Sequence, residues 1–552
     1  MELRAKRSLL LAVGLLALLA PLAPAELVAP ASQTEAPANY KRSAKQVIAI
    51  AKRDAKVRGE YRSHPKLVPS AYTDGPGRWQ VSFFNGRKEL AQVRIDDRTG
   101  GVFESWTGPQ VAWKMARGYE GAFGRKVNAP YVWIPFCILF LAPFFDPRRP
   151  FRLLHLDLLV LIGFGVSHIF FNRGEISTSV PLVYPLLVYL LLRLLWAGFR
   201  PRERAGPLIP VFPVVVVAMA LVFLVGFRVA LNVADANVID VGYAGVIGAD
   251  RIMDGEELYD GKFPEDNQHG DTYGPAAYLA YVPFEQALPW SGSWDDLPAA
   301  HAASVAFDLL TLLGLFLLGR RLRDGPAGTT LGVALAYGWA AFPYSLFALE
   351  SNSNDSLVAL LLVGTLLVIT SAPARGAMLA LATAVKFAPI ALAPLFATGR
   401  GPWRPKAAVG FALTFGAVAA LLVLAFLPPA GLEGFWDRTI GNQLDRDAPF
   451  SIWGQYELPS LHAAVRILAV LLAASLAFVP RTRSPVQIAA LGAAVLLALQ
   501  LGMTYWFYLY IVWFFPFALV ALFSEHAGPG ARAALPSVPA RERASAELQP
   551  VA

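Results

Sequence analysis

The chain has 552 residues, 55% of them hydrophobic and 16% charged, with a mean hydropathy of +0.47. Soluble domains carry about 25% charged residues, so this composition excludes an ordinary soluble globule and describes a membrane protein. Lys and Arg number 48 against 40 Asp and Glu, a net charge of +8, whose meaning depends on where the charges lie. The single cysteine, Cys137, sits in an apolar run and excludes both an internal disulfide framework and a cysteine-rich metal site.

Residues 1–25 join a basic start (Arg4, Lys6, Arg7) to an apolar run and the string Ala23-Pro24-Ala25. That pattern fits a signal peptide or an uncleaved signal anchor, and either leaves residue 26 outside the cytoplasm. Residues 26–126 are polar. A helical stretch from Ser43 to Tyr61 is followed by alternating runs at Trp79-Val81-Phe83, at Val93-Ile95 and from Val102, with turn signals at Asn85-Gly86 and Asp97-Arg98-Thr99-Gly100. With its helix QVIAIAKRDAKV and its strand-turn-strand VRIDDRTGGVFESW, this small α+β module resembles a PepSY-type domain. It holds 18 basic residues against 10 acids, suited to anionic lipid headgroups or an anionic glycan, or simply to a solvated surface.

From residue 127, apolar runs long enough to cross a bilayer recur near 131–145, 154–171, 180–199, 209–232, 299–319, 327–349, 354–370, 407–428, 460–479, 485–500 and 503–523. The segment 374–398 is apolar but interrupted by Lys386, Pro389 and Pro394, and reads as a re-entrant helical hairpin. The expected fold is an all-α polytopic membrane protein of about eleven transmembrane helices plus this hairpin, carrying a small N-terminal extracytoplasmic α+β domain. Residues 127–208 supply three additional helices, 209–523 the main membrane domain, and 524–552 a disordered cytoplasmic tail. With residue 26 outside, the cytoplasmic loops hold fifteen basic residues, among them Arg148, Arg200, Arg320, Arg404 and Arg481, against three acids. The positive-inside rule is satisfied throughout. The net positive charge therefore belongs to the membrane face and the front module, and a nucleic-acid partner is excluded.

The long loop at 233–300 contains thirteen acids and two basic residues. Most of these carboxylates read as a solvated surface. Asp240 differs, because it stands among Val238, Ile239 and Val241, where a carboxylate is partly desolvated and suited to act as a general base; Asp235 is the rival. The apolar piece 276–288 fits the membrane interface.

The order IDVGYAGVIGADRIMDGEELYD, TYGPAAYLAYVPF, ESNSND and LALATAVKFAPIALAPLF resembles the C-type multi-spanning glycosyltransferases, specifically glycosyltransferase family 87. The resemblance covers residues 209–523 and implies a polyprenyl-phosphate sugar donor, typically of mannose, used outside the cytoplasmic membrane on a lipid-linked glycan acceptor. It places the catalytic aspartate at Asp240, with Tyr243 in the same motif. The chain departs from the family in its long front end, its three additional spans, and Tyr273-Gly274-Pro275 where a Tyr-x-Pro-Pro string is usual. Attack opposite the leaving phosphate would invert the anomeric centre.

Further candidates for substrate contact are Tyr259, Tyr273, His269, Asn352 and Asn354, together with Lys386, Arg438, Asn442 and Arg446. Lys386, costly in hydrocarbon, either holds the lipid phosphate or forms a structural ion pair with a residue such as Asp308. Arg438 and Arg446 either grip a phosphate or pair with Asp437, Asp445 or Asp447. His462 reads as a helper or a structural residue. The turn Glu350-Ser-Asn352-Ser-Asn354-Asp355 offers amide and carboxylate groups suited to sugar hydroxyls, and a helix cap explains Asn354 or Asp355 equally well. Trp506, Tyr508, Tyr510 and Trp513 read as an interfacial aromatic belt. No nucleotide-loop or zinc-protease motif occurs, and neither a cofactor nor a metal is expected. A transporter, the competing class, would show two broken helices in corresponding positions, where one is expected here.

Overall fold

Residues 27–119, 121–201, 211–444 and 448–524 are described by a computed structural model. The signal segment, the tail beyond Ser524 and Arg446 lie outside the described residues.

In the front module the expected single helix divides into α1 (Ala44–Ala51) and α2 (Ala55–Ser63). The division falls at Asp54, whose carboxylate accepts the amides of Lys56 and Val57 at 2.9 and 3.3 Å and so caps a new helix start. Five strands follow the chain as an antiparallel meander: β1 (Leu27–Val28), β2 (Val68–Asp74), β3 (Arg78–Asn85), β4 (Lys88–Asp96) and β5 (Val102–Thr107). Gly86, with φ +61°, opens the turn between Asn85 and Lys88, where Asn85-Gly86 was expected to turn the chain. Trp79, Val81 and Phe83 share one face of β3 and are fully buried in one cluster with Ala44, Val47 and Ala51, which recur at helical spacing on α1. Each large side chain buried in this way contributes about 1.5–3 kcal/mol. Asp97 is buried and accepts the amides of Lys41 and Arg42 at 2.6 and 3.0 Å and the Trp79 indole at 2.9 Å, tying the approach to α1 onto the sheet.

The remaining helices of eight or more residues are α3 (Pro130–Leu141), α4 (Leu153–Asn172), α5 (Ile176–Phe199), α6 (Val214–Asp235), α7 (Asp240–Met253), α8 (Pro298–Leu322), α9 (Gly325–Ala341), α10 (Pro343–Glu350), α11 (Asp355–Leu367), α12 (Ala372–Val385), α13 (Pro405–Ala425), α14 (Pro459–Ser475), α15 (Pro485–Leu501) and α16 (Ile511–Ser524). Every expected span contains one of these helices. Five of them, α4, α5, α6, α8 and α13, are long and apolar enough to cross a membrane alone. The others are shorter, and α9 with α10 forms a bent pair that passes the same test jointly. Membrane exposure is written on α6, where Val217, Leu224, Arg228 and Asn232 form one buried stripe while Val215, Met219, Val222 and Phe223 face outward.

The expected straight span at 327–349 is bent by 59° between α9 and α10. Pro343 cannot donate an amide, and Phe342 before it is extended, as steric contact with the proline ring requires. Arg228 of α6 braces the bend: one guanidinium nitrogen donates to the Ala340 carbonyl at 3.0 Å, another to that of Ser345 at 3.2 Å. Its charge is met by Asp308 of α8, Nε to Oδ2 at 3.2 Å, which also accepts the Trp339 indole at 2.7 Å. The carboxylate expected as a possible partner for Lys386 thus belongs to Arg228. The segment 374–398 is broken where expected, with α12 ending at Lys386 and a short helix resuming at Ala393–Thr398.

Candidate active site

Helix α6 runs on to Asp235, and after four residues Asp240 opens α7, so the start of the expected loop is a sharp junction between helices. The junction is fixed by the turn Glu350–Asp355. The Ile239 amide donates to the Ser351 carbonyl at 2.9 Å, and the Asn352 side chain donates to the Asn237 carbonyl at 3.1 Å. Gly242 permits this approach, since a Cβ there would stand 2.1 Å from the Asn352 carbonyl oxygen. Two strings separated by over a hundred residues, IDVGY and ESNSND, therefore meet face to face.

Asp240 is half-buried, with Oδ1 accepting the Val241 amide at 2.9 Å and its carbonyl accepting the Asn267 side chain at 3.0 Å. Asn352, fully buried with φ +50°, joins Asn232 and His301: Asn232 Nδ2 donates to Asn352 Oδ1 at 2.9 Å, and His301 Nδ1 lies 2.9 Å from Asn232 Oδ1. Asparagine tolerates the left-handed region better than most residues. Tyr243 is buried one turn along α7 and stacks on Trp294 at 4.9 Å. Burial, then the nearby acids Asp266 and Asp295, push its phenol up, so it remains protonated.

Asp235 is committed elsewhere. Its two oxygens accept the Lys126 ammonium at 3.1 Å and the Lys126 amide at 3.2 Å, and Asn237 accepts the Gly124 amide at 2.7 Å. A strap running from the front module into α3 thus grips the chain on the approach to Asp240. Trp294 completes the grip, stacking on Phe123 and donating to the Val238 carbonyl at 3.1 Å.

Lys386 lies at the break after α12, and its ammonium is 2.7 Å from Oδ1 of Asp355, a pair almost wholly withdrawn from solvent. The same oxygen accepts the Trp513 indole at 2.7 Å. The rings of Trp513, Tyr510 and Tyr273 stand 5.3, 5.6 and 5.7 Å from the ammonium, within cation–π range. Tyr273 is brought here because Gly274 presses against the end of α12, where a Cβ would lie 2.1 Å from the Ala384 carbonyl oxygen. The Tyr-Gly-Pro string has this packing as its reason. The four aromatic residues expected as an interfacial belt do not form one: Trp506, Tyr508 and Trp513 are buried, and Tyr510 stacks on Trp513 at 4.2 Å beside Lys386.

Tyr259 is buried and donates to the Tyr273 carbonyl at 2.8 Å; burial and then Asp271 hold its phenol well above the ordinary value. Asp271, also buried, is raised by burial and pulled part of the way back by Arg438, 3.4 Å away. Arg438 therefore pairs across to Asp271; of the expected partners, Asp445 and Asp447 lie outside the described residues. His269 is exposed, Asn442 is half-buried just past the π-helical turn Asp437–Gly441, and His462 is held by the Gly502 carbonyl at 2.8 Å and by Trp453. The segment 276–288 forms the short helices Pro275–Leu279 and Val282–Ala287, with Tyr278 and Tyr281 buried against α7 and Leu288 exposed. Asn354 is fully buried, and neither end of its amide has a hydrogen-bond partner among the described residues.

The residues missed by sequence reasoning are chiefly partners: Arg228, Asn232, Asn237, His301 and Trp294. The cost of Lys386 in hydrocarbon called for a carboxylate, but only the fold distinguishes Asp355 from Asp308 as its source.

A bundle of apolar helices with a polar, carboxylate-bearing site recessed among helix ends defines a polytopic membrane protein. Residues 272–523 match the family model of Glycosyltransferase family 87. Over that stretch the chain is similar to the family, and the match supports a glycosyltransferase as its enzyme class. The match takes in Tyr273, the 350–355 turn, Lys386, Arg438 and α16, while Asp235, Asp240 and Tyr243 precede it. No curated protein matches the chain.

Proposed function

We propose that the protein transfers a sugar, mannose in the first instance, from a polyprenyl-phosphate donor to a lipid-linked glycan on the extracytoplasmic side of the cytoplasmic membrane. The observation that carries this reading is the docking of the Asp240 junction on the Glu350–Asp355 turn, which joins a carboxylate to a buried polar turn whose last residue pairs with Lys386. Asp240 takes the proton of the acceptor hydroxyl as that oxygen attacks the anomeric carbon. The bond from carbon to phosphate oxygen breaks, and polyprenyl phosphate leaves with the electron pair. A phosphate needs little protonation to leave, so one base suffices, and attack from the opposite face inverts the centre. Arg438, half-exposed beside Asp271, is a cation suited to the donor phosphate. The basic front module, held against the site by the Lys126 strap, is suited to an anionic part of the acceptor or to lipid headgroups.

The test is incubation of the purified chain in lipid nanodiscs with labelled polyprenyl-phosphate mannose and lipid extract of the source membrane. A labelled glycolipid supports the reading. No product from mannose, with product from the corresponding arabinofuranosyl lipid, would replace the sugar and keep the mechanism.

A further inference from the structure

The turn that receives Asp240 contains an unusual concentration of unsatisfied polar atoms. Asn354 is fully buried with both amide atoms unpartnered among the described residues. Asp355, equally buried, uses Oδ1 for both Lys386 and Trp513, and its Oδ2 has no partner among the described residues. The hydroxyls of Ser351 and Ser356, on the same stretch, are likewise without partners. Buried polar groups are almost always hydrogen-bonded, because desolvation without a partner costs free energy. Ser351, Asn354, Asp355 and Ser356 stand within six residues of one another, beside Glu350, whose Oε1 is also unpartnered among the described residues, and this cluster calls for a ligand that offers both donors and acceptors.

We infer that Asp355 Oδ2 and the Asn354 amide form the site that takes hydroxyl groups of the donor sugar. The inference deepens the donor reading above and rests on it. A carboxylate oxygen accepts from a hydroxyl, while an amide both donates and accepts, which together match the vicinal hydroxyls of a pyranose. The Lys386 ammonium, already neutralised at 2.7 Å and enclosed by three rings, then acts as a positioning residue. With Trp513 it fixes the carboxylate so that Oδ2 is the oxygen presented. Burial sharpens the selectivity, since a sugar lacking the matching hydroxyl leaves these groups unpaired.

The experiment measures binding of polyprenyl-phosphate mannose and of polyprenyl phosphate without sugar to the full chain in nanodiscs, with thermal stability followed in parallel. Asn354→Ala removes an amide that bonds to no described residue, so its melting temperature stays at or above that of the wild type. Its affinity for the sugar-bearing lipid falls about tenfold or more, while that for the bare lipid phosphate is unchanged. The double variant Asp355→Leu with Lys386→Met removes both charges together. It keeps the fold and shows the same selective loss, whereas a merely structural ion pair would leave sugar binding intact. Wild-type affinity for the sugar lipid in Asn354→Ala overturns the inference. A wild-type chain that binds neither lipid overturns the donor reading itself, and the inference with it.

Discussion

The Lys126 ammonium stands 3.1 Å from one oxygen of Asp235, and the backbone amide of the same lysine reaches the other at 3.2 Å. We propose from this double contact that Asp235 serves as the anchor of a strap that joins the front module to the Asp240 junction, and not as the base.

Because the lysine side chain is 44% exposed, its ion pair contributes only about 0–1 kcal/mol. Asp235→Asn is therefore expected to retain turnover within about threefold of wild type. Asn237→Ala, which loses the bond to the Gly124 amide, is expected to cost about 1 kcal/mol of stability. Initial rates of sugar transfer and melting temperatures check both expectations.

Gly242 and Gly274 are packing requirements. A methyl group at either would meet a carbonyl oxygen at 2.1 Å, that of Asn352 or Ala384. Each alanine variant is expected to lose about 1–3 kcal/mol through forced backbone separation. Gly242→Ala should also slow transfer, because the junction bearing Asp240 is what moves; a folded Gly242→Ala enzyme with wild-type rate would contradict this.

Arg228 and Asp308 hold the bend between α9 and α10. Breaking one side of a buried pair leaves an uncompensated charge at a cost of about 3–5 kcal/mol. Asp308→Asn is expected to reduce the yield of folded protein sharply, and Arg228→Met combined with Asp308→Leu to recover part of it. Size-exclusion profiles and thermal melts of the three proteins provide the comparison.

Burial raises the Asp271 carboxyl above its ordinary value of 3.8, and Arg438 opposes the shift. The folded protein then binds more protons than the unfolded chain in the interval between 3.8 and the raised value. Stability attributable to this group falls as pH rises through that interval and is level above it. Arg438→Gln is expected to extend the fall to higher pH, and Asp271→Asn to abolish it. Melting temperature against pH for wild type and both variants decides; identical profiles in all three would contradict the assignment.

Much of the architecture is legible in the sequence because apolar runs, prolines and turn residues act locally. The strands at Trp79–Phe83 and Val93–Ile95, the Gly86 turn and the break at Lys386 follow directly from such signals. The site is legible only as separate strings. IDVGY, TYGP, ESNSND and the lysine in VKFAP each stand out, yet the contacts that unite them, Ile239 to Ser351, Gly274 to Ala384 and Lys386 to Asp355, join residues far apart in the chain. The aromatic residues of α16 mislead for the same reason. Their spacing fits an interface as well as an interior, and only the position of Lys386 makes them interior.

The central claim is that Asp240 is the base of the transfer reaction, and its most direct test is the rate of sugar transfer by Asp240→Asn beside wild type and Asp235→Asn. The account predicts a fall of about 10²–10⁴-fold for Asp240→Asn with the donor still bound and the fold intact, and near wild-type transfer for Asp235→Asn. Equal rates for Asp240→Asn and wild type would contradict it.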